Sequence, residues 1–81
     1  MRIPRDVSGD DLEKLLKKYG YEITRHTGSH MRLSSTAQGQ HHLTIPRHSN
    51  LKVGTLNSVL GDVAEHLDMA KETLILELFS K

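Results

Sequence analysis

The sequence predicts an α+β fold: a helix, three antiparallel strands, a second helix on the same face of the sheet, and a further C-terminal helix. Three observations predict it. Apolar residues recur at helical spacing in Leu12, Leu15, Leu16 and Tyr19, and again in Leu56, Val59, Leu60 and Val63. Between these stretches, residues 21–45 alternate apolar and polar side chains, punctuated by Gly28 and Gly39. The chain has 81 residues, enough for one domain with a small core and hence marginal stability. We therefore expect one domain over 1–81, with a core segment of about 8–66 and a C-terminal helix of about 69–79.

The first helix starts at Ser8, an N-cap with the acid Asp11 three residues on, the arrangement of a capping box. Gly20 ends it. Lys14, Lys17 and Lys18 lie on its exposed face, the last two also complementing the helix dipole. In the first strand Tyr21, Ile23 and Arg25 share one phase, and Glu22, Thr24 and His26 the other. Thr27-Gly28-Ser29 reads as a hairpin turn. The second strand runs from His30 to Ser35, Ala37-Gln38-Gly39-Gln40 turns the chain again, and the third strand, His41 to Ile45, is ended by Pro46. Successive strand residues point to opposite faces. Tyr21, Ile23, Met31, Leu33, Leu43 and Ile45 form one apolar set that should meet the helices. The other face then carries Glu22, Thr24, His30, Arg32, Ser34, His42 and Thr44, while Arg25 falls in the core phase. A loop over 46–54 leads to a helix from about Thr55 to His66, capped by Gly54 or Thr55, whose first-turn N–H groups could meet a phosphate. Asp68 is the expected cap of the last helix, Met69 to Phe79. Two helices on one face of a three-stranded meander is the double-stranded-RNA-binding-domain-like α-β-β-β-α topology.

Composition narrows the function. Cysteine is absent, which removes disulfides, thiolate metal sites and cysteine nucleophiles. The six histidines do not form a metal-ligand pattern: His41 and His42 diverge on a strand, and no acid lies between Glu22 and Asp62. No metal or other cofactor is expected. There is no apolar run of membrane length and no apolar signal region in Met1-Arg2-Ile3-Pro4-Arg5-Asp6, so the expected location is cytoplasmic, with no membrane contact. The net charge of +1 is segregated: residues 14–60 hold Lys14, Lys17, Lys18, Arg25, Arg32, Arg47 and Lys52 against Glu22 alone, and acids dominate both ends. A basic centre suits a phosphate-bearing partner, and an unevenly charged surface is the plain alternative. Base stacking has little support: tryptophan is absent, and Tyr19, Tyr21 and Phe79 follow the core pattern.

The ordered set Leu15-Leu16, Gly20-Tyr21, Arg25-His26-Thr27-Gly28-Ser29-His30, Ile45-Pro46-Arg47-His48 and Lys52-Val53-Gly54-Thr55-Leu56 with Val59-Leu60 resembles the HicA-type, or YcfA-like, toxins of toxin–antitoxin pairs. The resemblance spans about residues 8–66. It implies a small endoribonuclease, an mRNA interferase that cuts single-stranded mRNA and blocks translation, and a HicB-type antitoxin that masks the active site. The family's active-site histidine maps onto His30. The chain departs from the shortest members in a longer segment around Ser35 to His42 and in the helix after His66. A monomer and a homodimer are both compatible with these additions.

The chemistry implied is metal-independent. A base removes the proton of a 2′-OH, which attacks the adjacent phosphorus and leaves a 2′,3′-cyclic phosphate and a 5′-OH. An imidazole with an ordinary pKa near 6.5 suits such proton transfer. Spacing alone fits a hydrogen-bonded turn histidine at His30 better; the family resemblance reverses that order. Arg25, Ser29 and Arg32 are candidate phosphate contacts beside it. His42 is a candidate second proton-transfer or phosphate group, although an ordinary surface histidine is the simpler reading. Arg47, His48 and Lys52 are candidates for backbone contacts, which give affinity without sequence choice. A non-catalytic RNA-binding module is the competing function, and an interaction module using the acidic C-terminal helix is a third.

Overall fold

The Ser8 hydroxyl accepts a hydrogen bond from the Asp11 N–H (2.9 Å), and the Asp11 carboxylate accepts one from the Ser8 N–H (3.2 Å). This capping box starts α1, Gly9–Leu16, in the computed structural model, which describes residues 6–35 and 39–80. The bonds from Ser8 hold the Asp11 carboxyl below the usual range. A short 3₁₀ turn, Lys17–Tyr19, follows, and Gly20 at φ 87° closes the helix in the left-handed conformation.

Strands β1 (Glu22–Thr27), β2 (His30–Ser35) and β3 (His41–Pro46) form an antiparallel sheet in the order β1-β2-β3. Thr27 pairs with His30, so the first hairpin loop is Gly28-Ser29 alone, with Gly28 at φ 55°. Of the second turn, Ala37 and Gln38 lie outside the described residues. Helix α2 spans Val53–His66 and α3 spans Lys71–Phe79. Met31, Leu33, Leu43 and Ile45 from the sheet share one core with Leu12 and Leu16 of α1, Leu56, Leu60 and Val63 of α2, and Leu74, Ile75 and Leu78 of α3. All helices therefore cover one face, and the C-terminal helix folds onto the domain. The α+β, double-stranded-RNA-binding-domain-like architecture expected from the sequence is the one found.

Four details differ from the sequence reading. The pairing shifts between Ile23, opposite Leu33, and Arg25, opposite Arg32, so Thr24 is an extra residue in β1. This bulge turns Arg25 out of the core phase and onto the solvent face. Ile23 keeps the core phase but stays 40% exposed, because β1 is an edge strand with every residue exposed. Helix α2 begins two residues early, at Val53, with Lys52 rather than Gly54 or Thr55 as N-cap and no side-chain cap bond. Helix α3 begins at Lys71: Asp68 sits at φ 54° in the link between the helices and caps nothing.

The entry to α1 is latched to the loop after β3. The Gly9 N–H donates to the His48 carbonyl (3.0 Å), and the Leu51 N–H to the Val7 carbonyl (2.8 Å). A Cβ on Gly9 would lie 2.2 Å from the Pro46 carbonyl oxygen. A Cβ on Gly61, within α2, meets nothing within 4 Å. In urea unfolding, Gly9→Ala should therefore cost about 2 kcal/mol or more, whereas Gly61→Ala should stabilise by roughly 0.5–1 kcal/mol.

Candidate functional site

The solvent face of the sheet follows from the register. His30, Arg32 and Ser34 of β2 alternate with the buried Met31, Leu33 and Ser35. Arg32 lies opposite Thr44 on β3 and, through the bulge, opposite Arg25 on β1. Arg25, Arg32 and Thr44 thus form a row across the sheet. Two guanidinium groups facing each other across adjacent strands repel. Among the described residues neither pairs with a carboxylate; the ion pairs are Lys17–Glu13 and Arg47–Asp10. On one side of the row His30 joins both arginines, Thr27 and Thr44 around a shallow cleft of about 170 Å³. On the other side the arginines share a cleft of about 420 Å³ with Thr24, Ser34, Gln40 and His42.

His42 lies opposite Ser34, and its Nδ1 is 2.6 Å from the Ser34 hydroxyl. That hydroxyl is 3.1 Å from the Thr24 hydroxyl, which donates to the Arg32 carbonyl at 3.3 Å. Thr24 reaches this carbonyl from the bulge. Sequence reading put Thr24 and Ser34 on the outer face but did not single them out, because nothing in the residue pattern marks a bulge.

The other candidates are less gathered. The Ser29 carbonyl accepts from the Arg47 N–H (2.6 Å), which brings the loop after β3 beside the hairpin turn. The Arg47 guanidinium pairs with Asp10 (3.2 Å), so its charge is partly spent on α1. His48 and Lys52 are exposed and line neither cleft.

His41 points to the helix side and joins a cluster that spacing did not reveal. Its ring stacks on His66 of α2 (centroids 4.4 Å apart, planes 11° apart), and its Nδ1 is 2.6 Å from the Tyr21 hydroxyl. Burial, with the charge of Asp62, pushes the Tyr21 pKa up to about 12, so the phenol keeps its proton and donates it to a neutral imidazole. Burial chiefly, helped by His66 and opposed by Asp62, holds His41 below the usual histidine range. Among the described residues no group of three or more His, Asp or Glu is arranged to hold a metal ion. No helix among them is long and apolar enough to cross a membrane.

Fold and face together define a small α+β protein of RNA-binding-like architecture with an open, cationic sheet surface. A family model described as the HicA toxin of bacterial toxin–antitoxin systems matches residues 9–64. The chain belongs to that family, whose members are generally RNA-cleaving toxins paired with an antitoxin. No curated protein and no solved structure gives a match.

The His41–His66 stack yields a test by pH. With the folded pKa of His41 depressed, the unfolded chain binds the proton more readily, so stability is lost as pH falls through the ordinary histidine value. The thermal midpoint should drop between about pH 7 and pH 5, and His41→Gln should flatten that slope.

Proposed function

We propose that the protein is a toxin endoribonuclease that cleaves single-stranded mRNA in the cytoplasm by metal-independent acid–base catalysis at His30. Cleavage stops translation, and a HicB-type antitoxin neutralises the protein by covering the sheet face. The observation that carries this reading is the opposed pair Arg25 and Arg32 beside His30. Their mutual repulsion has no carboxylate among the described residues to relieve it, and an anion seated between them would. A phosphodiester is such an anion, and its transition state gathers further negative charge that fixed cations stabilise. His30, two residues from Arg32 on the same face, takes the proton of the neighbouring 2′-OH. The Ser29 hydroxyl, the cations Arg47 and Lys52, and the His48 imidazole hold the RNA backbone at the hairpin end.

A non-catalytic RNA-binding module would use the same cationic face but has no need of an imidazole at residue 30. Cleavage of a long single-stranded RNA in excess EDTA separates the two. Wild-type protein should cut it to 2′,3′-cyclic phosphate and 5′-OH ends, and His30→Ala should lose about 10²–10⁴-fold of the rate with an unchanged circular dichroism spectrum. Equal binding by both without cleavage by either would favour the binding module; equal cleavage by both would remove His30 from the mechanism.

A further inference from the structure

We infer that His42 is the general acid of this reaction, held by Ser34 and Thr24 through its Nδ1 so that Nε2 is the nitrogen that transfers the proton, and that it faces His30 across a phosphate seated on Arg25 and Arg32. The inference rests on the ribonuclease reading above.

The register supplies the geometry. His30 lies two residues to one side of the Arg25–Arg32–Thr44 row, and the Ser34–His42 pair lies two residues to the other. Each two-residue step along a strand is about 7 Å, so the two histidines stand about 13 Å apart along the sheet with the arginines midway. In-line displacement at phosphorus puts the attacking and leaving oxygens on opposite sides of the phosphate. A base and an acid must then flank the phosphate rather than sit side by side. Arg25 and Arg32 line both the cleft of His30 and the cleft of His42, so one anion held by the pair is open to an imidazole from either direction.

The hydrogen bonds supply the direction of proton transfer. The Thr24 hydroxyl donates to the Arg32 carbonyl, so toward Ser34 it acts as acceptor. The Ser34 hydroxyl gives its proton to Thr24 and in turn accepts from Nδ1–H of His42. Nδ1 stays protonated in both charge states of the ring, and only Nε2 exchanges its proton. That arrangement fixes the ring and leaves Nε2 as its proton-transferring atom. The ring of His30 has no hydrogen bond to the described residues, and it is free to accept.

The step balances without a further reactant. His30 removes the 2′-OH proton, the O2′–P bond forms, the P–O5′ bond breaks, and the leaving 5′-oxygen takes the proton from Nε2 of His42. The products are the 2′,3′-cyclic phosphate and the 5′-OH, and the imidazoles reset by exchange with water. Several charges surround His42. The acids are Glu22, opposite Ser34 on β1, and Asp62 of α2, which lines the cleft on the other side of the ring; the basic groups are Arg25, Arg32 and the adjacent His41.

The test places a leaving group that needs no acid. After the linkage cut by wild-type protein is mapped, an oligoribonucleotide is made with bridging sulfur in place of the 5′-oxygen there. On the ordinary linkage His42→Ala should lose about 10²-fold or more in kcat with KM little changed. On the sulfur linkage it should recover nearly the wild-type rate, and His30→Ala should not. Ser34→Ala, which removes the acceptor of Nδ1–H together with its bond to Thr24, should shift the alkaline limb of the kcat profile to lower pH. Equal loss by His42→Ala on both linkages, or a change in KM alone, would overturn the acid role and leave the ribonuclease reading standing. Absence of cleavage by wild type would overturn that reading and this inference with it.

Discussion

Strand β2 is the constraint on which core and site both depend. Its odd residues, Met31, Leu33 and Ser35, are buried, and its even residues, His30, Arg32 and Ser34, face solvent or its margin. Side chains alternate with a period of two, so a slip of one residue against either neighbour would bury the imidazole and guanidinium and expose the apolar set. The burial of Met31 and Leu33 therefore fixes the position of His30 and Arg32. Because β2 is the central strand, its register with β3 also sets where His42 and Thr44 fall. Packing free energy on one face becomes positional accuracy on the other.

The edge strand β1 would follow the same rule, but Thr24 breaks it. One extra residue reverses the phase of the hairpin end and places Arg25 against Arg32. Cross-strand pairs of like charge cost a few tenths of a kcal/mol or more, and a small domain has little stability to spare. The same extra residue brings the Thr24 hydroxyl to the Arg32 carbonyl and so completes the hydroxyl chain that ends at His42. Bulges at sheet edges commonly re-aim side chains in this way. Here one irregularity gathers two cations into a row and orients a ring beyond it.

Most of the fold could be read from residues whose local chemistry determines their conformation. Ser8 with Asp11, Gly20, Gly28 and Pro46 each act within a few positions, and the alternation in β2 and β3 is uninterrupted, so these elements fall where the pattern puts them. The failures occur where distant parts decide. The bulge depends on pairing between β1 and β2, and no residue type announces it, so simple alternation puts Arg25 in the core phase. The start of α2 at Val53 lacks a side-chain cap, and Asp68 takes a left-handed backbone instead of capping α3. His30 stood out in the sequence through its turn and its flanking cations. The partners of His42 and His41 did not, since Ser34, Thr24, Tyr21 and His66 approach them only through the folded sheet and helix.

The helix beyond the family segment shows how an open face is tolerated. The match ends at residue 64, whereas α3 runs from Lys71 to Phe79. Leu74, Ile75 and Leu78 add buried apolar surface to the core, each such side chain contributing roughly 1.5–3 kcal/mol before entropy is counted. The Tyr19 hydroxyl donates to the Glu77 carboxylate, and the Lys18 ammonium donates to the Glu77 carbonyl (3.3 Å), tying α3 to the end of α1. Burial and this carboxylate push the Tyr19 pKa up to about 12, so the phenol remains a donor across the physiological range. All of these contacts lie on the helix side of the sheet. The solvent face, with its opposed arginines and two histidines, takes no part in them. Stability gathered on the covered face offsets the charge repulsion that the uncovered face retains, and among the described residues the opposed arginines form no ion pair with the chain's own acids.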